Sequence, residues 1–243
     1  MKARSLVASF LTLFGGGGAA CDKSSSLPPP PPAPTVSTVE GGADPTTGVV
    51  RYLAMGDSLT QGVGAKDVAQ GNFAARVAAK WRARGCQVEL KNLGVTRYTA
   101  QDVITNQVPE IAVFKPTLIT LQVGSNDVAN KVPVDTFRKN VSIILDAATK
   151  SGARVIVFPQ NEWFRSPEGP SYGTDLANKR AEFDKVLMEE TQKAKGEVVD
   201  LRLLFRQQAD RKQWYSDGIH PSEECYEQWA AELARVVPSP CGK

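Results

Sequence analysis

The chain has 243 residues, and its 29 basic and 26 acidic residues give a formal net charge of +3. A hydrophobic fraction of 42% and a charged fraction of 23% are typical of a soluble globular protein. Lys2 and Arg4 supply two of the three excess positive charges. The rest of the chain is close to neutral, which excludes the basic surface that binding to nucleic acid needs.

The first twenty residues predict a signal peptide. Lys2 and Arg4 form a positive start, residues 6–14 are apolar, and residues 15–20 are small. This order of segments is that of an export signal. The apolar stretch is well short of the roughly 20 residues that a membrane-spanning helix needs. We therefore expect residues 1–20 to direct export.

Cys21 follows this segment directly. The small residues before it and the Ser/Pro-rich stretch after it resemble the processing site of bacterial lipoproteins, although Gly18 stands where that site usually has an aliphatic residue. We expect Cys21 to carry lipid and to anchor the protein in a membrane, with its domain facing the periplasm or the cell exterior. The alternative is ordinary cleavage near Ala20, which would leave Cys21 free and the protein secreted.

Residues 21–48 are predicted to be a disordered linker. Ser and Pro cannot build a packed core, and the proline run at 28–32 favours an extended, stiff spacer. Residues 49–243 are then a single folded domain, which we expect to be monomeric.

Apolar runs typical of strands alternate with helical patterns from residue 49 onward. In the helical patterns, apolar residues recur every three or four positions, and the last helix is predicted to open with Pro221. Strands that alternate with helices predict one doubly wound α/β domain with a parallel sheet covered on both faces. The strand-like runs lie at residues 50–55, 86–90, 117–123, 154–158 and 197–201.

The domain contains three cysteines, which are Cys86, Cys225 and Cys241. An exported protein can form disulfides, and three cysteines leave one unpaired. Cys225 and Cys241 could meet if the tail after the last helix folds back, and the pairing stays open. A zinc site of the usual kind is excluded because the chain has one histidine. We expect neither a metal nor another cofactor.

The first predicted strand leads into the sequence GDSLTQG at residues 56–62. Ligands of parallel sheets bind beyond the carboxyl ends of the strands, and Ser58 stands at such an end. A serine between a strand and a helix exposes its hydroxyl where the helix N-terminus favours negative charge. The alternative is that Ser58 only caps the helix.

His220 is the single histidine, and it lies in the sequence DGIHP at residues 217–221. The three-residue spacing lets the Asp217 carboxylate accept a hydrogen bond from one imidazole nitrogen while the other faces a nucleophile. A lone histidine is more often a structural residue. If the protein uses an imidazole base near neutral pH, only His220 can supply it.

Two further loops follow the second and third predicted strands. Gly94 lies in the first of them, and Asn126 lies in the second. The N–H groups of Ser58 and Gly94 and the amide of Asn126 could together form an oxyanion hole. Each loop by itself is also an ordinary turn, because Gly and Asn are common turn residues.

These four blocks, each after a predicted strand, resemble the GDSL or SGNH hydrolase superfamily. The letters of that name fall on Ser58, Gly94, Asn126 and His220, with Asp217 as the triad acid. The resemblance covers essentially the whole domain. It implies a flavodoxin-like three-layer α/β/α sandwich with a five-stranded parallel sheet. It also implies metal-independent hydrolysis through an acyl-enzyme on Ser58.

Arg97 is a departure from the family. Many relatives have a second glycine at this place in the second block, where this chain has Arg97. A long cation near Gly94 could line the substrate mouth and favour an anionic or polar substrate. Alternatively, and with equal weight, Arg97 is a surface arginine in contact with solvent.

Residues 159–174 follow the fourth predicted strand and contain Trp163, Phe164 and Tyr172 among Gly, Pro and Ser. A long loop at this place often shapes a pocket. The aromatic side chains could bind an acyl chain, stack on a sugar, or pack the loop onto its own domain.

The sequence thus predicts a serine-dependent carboxylic ester hydrolase acting on a small-molecule or glycan ester. A carbohydrate O-acetyl esterase is the alternative among enzymes. A non-catalytic tethered binding protein is the alternative of another class, and the retention of every catalytic position argues against it. A flavin- or phosphate-binding domain lacks its phosphate loop, because the only glycine run lies in the export signal.

Overall fold

A computed structural model describes residues 48–237 and 240–241. The predicted signal peptide, Cys21 and nearly all of the linker lie outside the described residues. The sheet has five strands, all parallel, in the order β2-β1-β3-β4-β5. Its strands are β1 (Val49–Gly56), β2 (Gln87–Asn92), β3 (Leu118–Gln122), β4 (Arg154–Val157) and β5 (Glu197–Val198).

Helices cover both faces of this sheet, and no helix within residues 48–237 is long and apolar enough to cross a membrane. The strand order is that of flavodoxin-like domains, in which ligands bind at the point between β1 and β3 where the winding reverses. The predicted three-layer fold is confirmed. The helices are α1 (Ser58–Gln61), α2 (Val68–Gly71), α3 (Phe73–Ala83), α4 (Ala100–Asn106), α5 (Val108–Phe114), α6 (Ser125–Ala129), α7 (Val134–Lys150), α8 (Leu176–Lys193), α9 (Arg202–Asp210) and α10 (Glu223–Val236).

Two apolar layers sandwich the sheet because successive side chains of a strand point to opposite faces. Tyr52 of β1 packs with α3, α9 and α10, whereas its neighbour Leu53 packs with α4, α7 and α8. Both residues are completely buried. Phe73 anchors the first layer, with its ring centroid 5.1 Å from that of Phe158 in an edge-to-face arrangement. β1 is therefore the central support from which the turn carrying Ser58 starts.

Two predicted boundaries are wrong. The fifth strand ends at Val198 rather than at residue 201, because Asp200 accepts a hydrogen bond from the Arg202 N–H at 3.0 Å and turns the chain into α9. α10 begins at Glu223, two residues after Pro221, because Pro221 forms an antiparallel bridge with Trp214.

The disulfide joins Cys86 to Cys241, and Cys225 is free and buried. The fold-back pairing of Cys225 with Cys241 is thus wrong. Cys225 faces the core from α10, with its Sγ 3.4 Å from the Gln213 carbonyl oxygen. After α10 the chain passes Trp81, whose Nε1 donates to the carbonyl of residue 237 at 2.8 Å, and so returns to the start of β2.

Candidate active site

The turn between β1 and α1 presents Ser58. Gly56 has φ +148°, and a β-carbon there would lie 2.2 Å from the Gln122 carbonyl oxygen, so only glycine fits. Asp57 then caps α1 by accepting a hydrogen bond from the Leu59 N–H at 3.0 Å. The Ser58 N–H donates no hydrogen bond to any described residue. The sequence therefore leaves both the hydroxyl and the N–H of Ser58 at the carboxyl edge of β1.

Ser58, His220 and Asp217 form a continuous chain of hydrogen bonds. The distance from Ser58 Oγ to His220 Nε2 is 2.8 Å, and the distance from His220 Nδ1 to Asp217 Oδ2 is 2.7 Å. Asp217 Oδ1 also accepts the N–H groups of Ile219 and His220, each at 3.0 Å. When Nδ1 donates to Asp217, Nε2 is left as the acceptor for the Ser58 hydroxyl proton.

The loop that carries His220 is held by its backbone. The Tyr215 N–H donates to the His220 carbonyl at 2.8 Å, and the bridge between Trp214 and Pro221 closes the loop behind it. The Glu168 N–H donates to the Gly218 carbonyl at 2.9 Å, which ties this loop to the segment after β4. Such contacts fix the imidazole before any substrate arrives.

Burial and hydrogen bonding act in opposite directions on the carboxyl groups near the site. Burial alone would raise the pKa of Asp217, but hydrogen bonds from Ile219 and His220 outweigh it and hold this pKa below its usual value. Burial raises the pKa of Asp57 to about 7 and that of Asp127 to about 6, against the hydrogen bonds that each accepts from backbone N–H groups. Asp217 is thus favoured as an anion beside the imidazole.

Asn126 reaches the site from α6, at the carboxyl edge of β3. Its Nδ2 donates to the Tyr98 carbonyl at 3.0 Å and to Asp57 Oδ2 at 3.3 Å. The second of these bonds is long, so an oxyanion could compete for that N–H. The amide is held in place by the same turn that carries Ser58.

The structure does not bring Gly94 into the site. Its N–H donates to Asn92 Oδ1 at 2.9 Å, and its α-carbon packs against the backbone of Gln61, where a β-carbon would clash at 2.2 Å. Gly94 is required for this close approach and its N–H is already used, so it does not supply the predicted oxyanion donor.

Arg97 lies on the wall of the site instead. Its φ is +71°, in the left-handed region that favours glycine and in which an arginine is uncommon. The Arg97 N–H donates no hydrogen bond to any described residue, whereas the neighbouring Thr96 N–H is bound to Gln61 Oε1 at 2.9 Å. This backbone conformation is one that glycine adopts readily, and it leaves the N–H of a pocket residue without a partner among the described residues.

A pocket of about 220 Å³ opens at Ser58 and His220. Three of the four predicted substrate-binding residues line it, namely Arg97, Trp163 and Tyr172. Phe164 does not line it and packs on the core layer of α7 and α8 instead. The lining residues are Asp57, Ser58, Leu59, Thr96, Arg97, Ser125, Asn126, Ala129, Asn161, Trp163, Tyr172, Ile219 and His220.

Asn161 is a pocket residue that the sequence analysis missed. It is only 3% exposed, its Oδ1 is buried without a partner, and its Nδ2 makes no hydrogen bond to the described residues. The residue lies four positions beyond the end of β4. The rule that ligands bind beyond the carboxyl ends of parallel strands could have found it.

A buried ion cluster supports the segment that carries Asn161 and Trp163. Arg180 lies 3.3 Å from Glu162 and 2.9 Å from Asp184, the latter as an ion pair without hydrogen-bond geometry. Arg180 also donates to the Gln160 carbonyl at 2.6 Å. All three ionisable side chains are more than nine-tenths buried. The pocket wall is therefore fixed from beneath by α8.

The family model of GDSL-like lipases and acylhydrolases matches residues 54–228, which is most of the chain. The chain belongs to the GDSL-like lipase/acylhydrolase family. Membership confirms the predicted enzyme class, a carboxylic ester hydrolase. No curated protein matches the chain in sequence.

Solved structures of this fold resemble the GDSL-like domain along its whole length. A lipase/acylhydrolase from Enterococcus faecalis shares 23% identity at a TM-score of 0.64, over 77% of this chain and 94% of that one. A psychrotrophic esterase from Pseudoalteromonas sp., inhibited by monoethylphosphonate, shares 15% identity at a TM-score of 0.64, over 77% of this chain and 96% of that one. An acetylxylan esterase from Geobacillus stearothermophilus shares 16% identity at a TM-score of 0.65, over 79% of this chain and 96% of that one. These likenesses show the fold.

Proposed function

We propose that this ester hydrolase acts through Ser58 as nucleophile, His220 as general base and Asp217 as the acid that orients it. The hydrogen-bond chain from Ser58 Oγ to His220 Nε2, at 2.8 Å, and from Nδ1 to Asp217, at 2.7 Å, carries the proposal. These distances are within reach for proton transfer without rearrangement. The low pKa of Asp217 keeps a negative charge beside the imidazolium that forms.

The reaction has two halves. His220 Nε2 takes the Ser58 proton as Oγ bonds to the ester carbonyl carbon, and the tetrahedral intermediate then breaks its bond to the alcohol oxygen. The alcohol leaves with the proton from Nε2, and the acyl group remains on Ser58. In the second half, water gives a proton to Nε2 as its oxygen bonds to the acyl carbon. The bond from that carbon to Ser58 Oγ then breaks, Oγ takes the proton back from Nε2, and the acid departs.

The oxyanion of each intermediate would be bound by three donors. The free N–H groups of Ser58 and Arg97 and the Asn126 amide all belong to pocket residues. Each such donor is worth about 10²–10³ in rate. The left-handed backbone of Arg97 supports its assignment in place of Gly94.

Hydrolysis of a 4-nitrophenyl ester series, from acetate to palmitate, tests this mechanism. Ser58→Ala and His220→Ala should abolish turnover while circular dichroism and the melting temperature stay close to wild type. A phosphonate ester should add one covalent group to wild type, and mass spectrometry should find none on Ser58→Ala. Retained hydrolysis by Ser58→Ala would sink the assignment.

A carbohydrate O-acetyl esterase is the second candidate function. The pocket of about 220 Å³ is smaller than the roughly 300–1,000 Å³ of pockets that enclose drug-sized ligands, which favours a short acyl group. Trp163 and Tyr172 form an edge-to-face pair at 5.8 Å on its wall, a surface on which a sugar could pack. The rate should then fall steeply beyond acetate in the ester series. A palmitate rate equal to the acetate rate would reject it.

We further propose that the enzyme is exported and anchored through lipid on Cys21, with residues 21–48 as spacer. The N-terminal sequence pattern and the Cys86–Cys241 disulfide, a bond typical of oxidising compartments, support export. Metabolic labelling with palmitate should mark wild type and leave Cys21→Ser unlabelled and released from membranes. An unlabelled wild type that is released equally would contradict the anchor. Gel filtration checks the expected monomer.

A further inference from the structure

Arg97 is an exposed residue on the wall of the catalytic pocket, and its charge has no partner among the described residues. The side chain has no ion pair or hydrogen bond to the described residues, although it lines the same pocket as Ser58 and His220. Asp57 lines this pocket, and Asp217 lies behind His220. Asp217 is engaged by His220, and burial raises the pKa of Asp57 to about 7. Neither carboxyl group is within ion-pair distance of the Arg97 guanidinium.

Asn161 adds a second unpaired group to the same pocket. Its Oδ1 is buried without a partner, whereas its Nδ2 is not fully buried and makes no hydrogen bond to the described residues, so Nδ2 is the atom open to a ligand. Buried polar groups normally find hydrogen-bond partners, and one that lines a pocket without a partner indicates a place where a ligand completes the set. The donor requires an acceptor, such as an oxygen of a carboxylate, a phosphate or a hydroxyl.

The backbone at residue 97 adds an argument about the arginine itself. Left-handed backbone is disfavoured for residues with a β-carbon, so glycine would adopt φ +71° at lower cost. Strain of this kind persists where the surrounding structure holds it, and it concentrates at functional sites. Here the strained residue places a long cation at the mouth of a pocket of about 220 Å³.

We propose that Arg97 and Asn161 form an anion subsite, so that the preferred substrates are short-chain esters whose acid or alcohol part carries a carboxylate or phosphate. The inference rests on the proposed ester hydrolysis. The guanidinium pairs with the anionic group, and Asn161 Nδ2 donates to one of its oxygens. Trp163 and Tyr172 flank the same pocket and pack against the apolar remainder of the substrate.

Matched substrate pairs that differ by one anionic group test the proposal. Phenyl acetate is compared with 4-acetoxybenzoate and with 4-acetoxyphenyl phosphate, and 4-nitrophenyl butyrate with 4-nitrophenyl hemisuccinate. The readout is the ratio of kcat/KM for the anionic ester to that for its neutral partner. Effects of a substitution on turnover in general cancel in this ratio, and the pair that responds identifies the charged group.

The variants are chosen so that the cost of the left-handed backbone at residue 97 stays the same. Arg97→Gln and Arg97→Lys both retain the β-carbon and the N–H, and only Lys retains the charge. In at least one pair, Gln should lower the ratio about tenfold, as the loss of a charge-assisted hydrogen bond predicts, and Lys should restore most of it. Arg206→Gln removes an exposed cation of α9, outside the pocket, and should change no ratio.

Asn161→Leu separates ligand binding from a structural role. It should lower the same ratio, and the melting temperature should hold or rise because a buried carboxamide without partners is removed. Ratios that stay within twofold of wild type in Arg97→Gln for every pair would overturn the subsite.

Binding to Ser58→Ala protein keeps the inference distinct from the proposed function. Calorimetric titration with 4-acetoxybenzoate, 4-acetoxyphenyl phosphate and 4-nitrophenyl hemisuccinate needs no turnover. At least one anionic ester should bind Ser58→Ala more tightly than its neutral partner, and Arg97→Gln in that background should remove the difference. Hydrolysis retained by Ser58→Ala, together with the charge preference, would reject the mechanism and keep the subsite. Equal binding of all charged and neutral partners would reject the subsite.

Discussion

Replacing Asp217 with Asn should disable His220 as a base while leaving its loop folded. Asp217 Oδ1 accepts two backbone N–H groups at 3.0 Å each, and Oδ2 accepts the ring Nδ1 at 2.7 Å. An Asn side chain has one acceptor oxygen. The two N–H groups will hold that oxygen at the Oδ1 position, so the amide NH₂ will face Nδ1. The imidazole then carries its proton on Nε2 and cannot accept the proton of Ser58.

The loss has two parts. The imidazolium loses a hydrogen bond to a charged partner, which is worth about 1.5–3 kcal/mol. Recovering the productive tautomer also leaves two donors facing each other, at a cost of about 1–3 kcal/mol. Together these correspond to a fall in kcat of about 10²–10⁴. Asp217→Ala should show only the first part, about 10–10², because the side chain is 34% exposed and water can take its place.

The assay is kcat on 4-nitrophenyl acetate across neutral and alkaline pH, with melting temperatures for each variant. Asp146→Asn, which removes a negative charge from the exposed face of α7, is the matched control and should match wild type. Asp217→Asn should be at least several-fold slower than Asp217→Ala. If Asn proves as active as Ala, the orientation of the amide is not set by the backbone, and the reasoning fails.

Reduction of the disulfide, or Cys86→Ser, should lower the free energy of unfolding by about 2–4 kcal/mol because the bond closes a long loop. An unchanged melting temperature with reductant would contradict this. The part of the free energy of unfolding that Asp57 and Asp127 contribute should fall as pH rises from 3.8 to about 7, because both keep their protons in the folded chain after the unfolded chain has lost them. Denaturant titrations should find a flatter slope in Asp57→Asn, and an unchanged slope would reject burial of this group as the cause. Arg180→Met should cost about 3–5 kcal/mol because it leaves buried Asp184 without its ion pair. It also leaves Glu162 only Arg165, at 3.7 Å. Arg206→Met is its exposed control, and equal melting temperatures would refute the assignment.

The fold could be predicted because burial leaves a direct pattern in the sequence. β1, β3 and β4 are mainly apolar runs between helical patterns, whereas β2 alternates apolar with polar residues. Each of these four strands lies within two residues of its predicted bounds. The fifth strand was predicted too long because its end is set by one side chain. The Asp200 side chain accepts a hydrogen bond from the Arg202 N–H and so ends the strand. Leu201, the N-cap residue of α9, is buried in the core without being part of a strand.

The proximity of Ser58, Asp217 and His220 could be predicted because their geometry is local or follows from the sheet. Asp217 and His220 are three positions apart on one turn, so their contact is local. Ser58 follows a central strand, and the carboxyl edge of the sheet is where the His220 loop also lies. The oxyanion donor at Gly94 could not be judged in this way. Which N–H of that loop is free depends on the side chain of Asn92 and on the left-handed backbone of Arg97, and an arginine gives no signal for that conformation.

Catalysis and selectivity therefore depend on different levels of the structure. The proposed reacting groups lie beyond strand ends and are held by backbone hydrogen bonds, and a parallel sheet gathers its strand ends at one edge. The pocket wall is placed by side chains. Asn161 stands on a segment fixed by the buried charges around Arg180, and Arg97 stands on a strained turn. A change at either place can alter which ester is accepted while the Ser58–His220 contact at 2.8 Å remains. The enzyme class can thus be predicted from the sequence, whereas the substrate depends on contacts that only the folded chain creates.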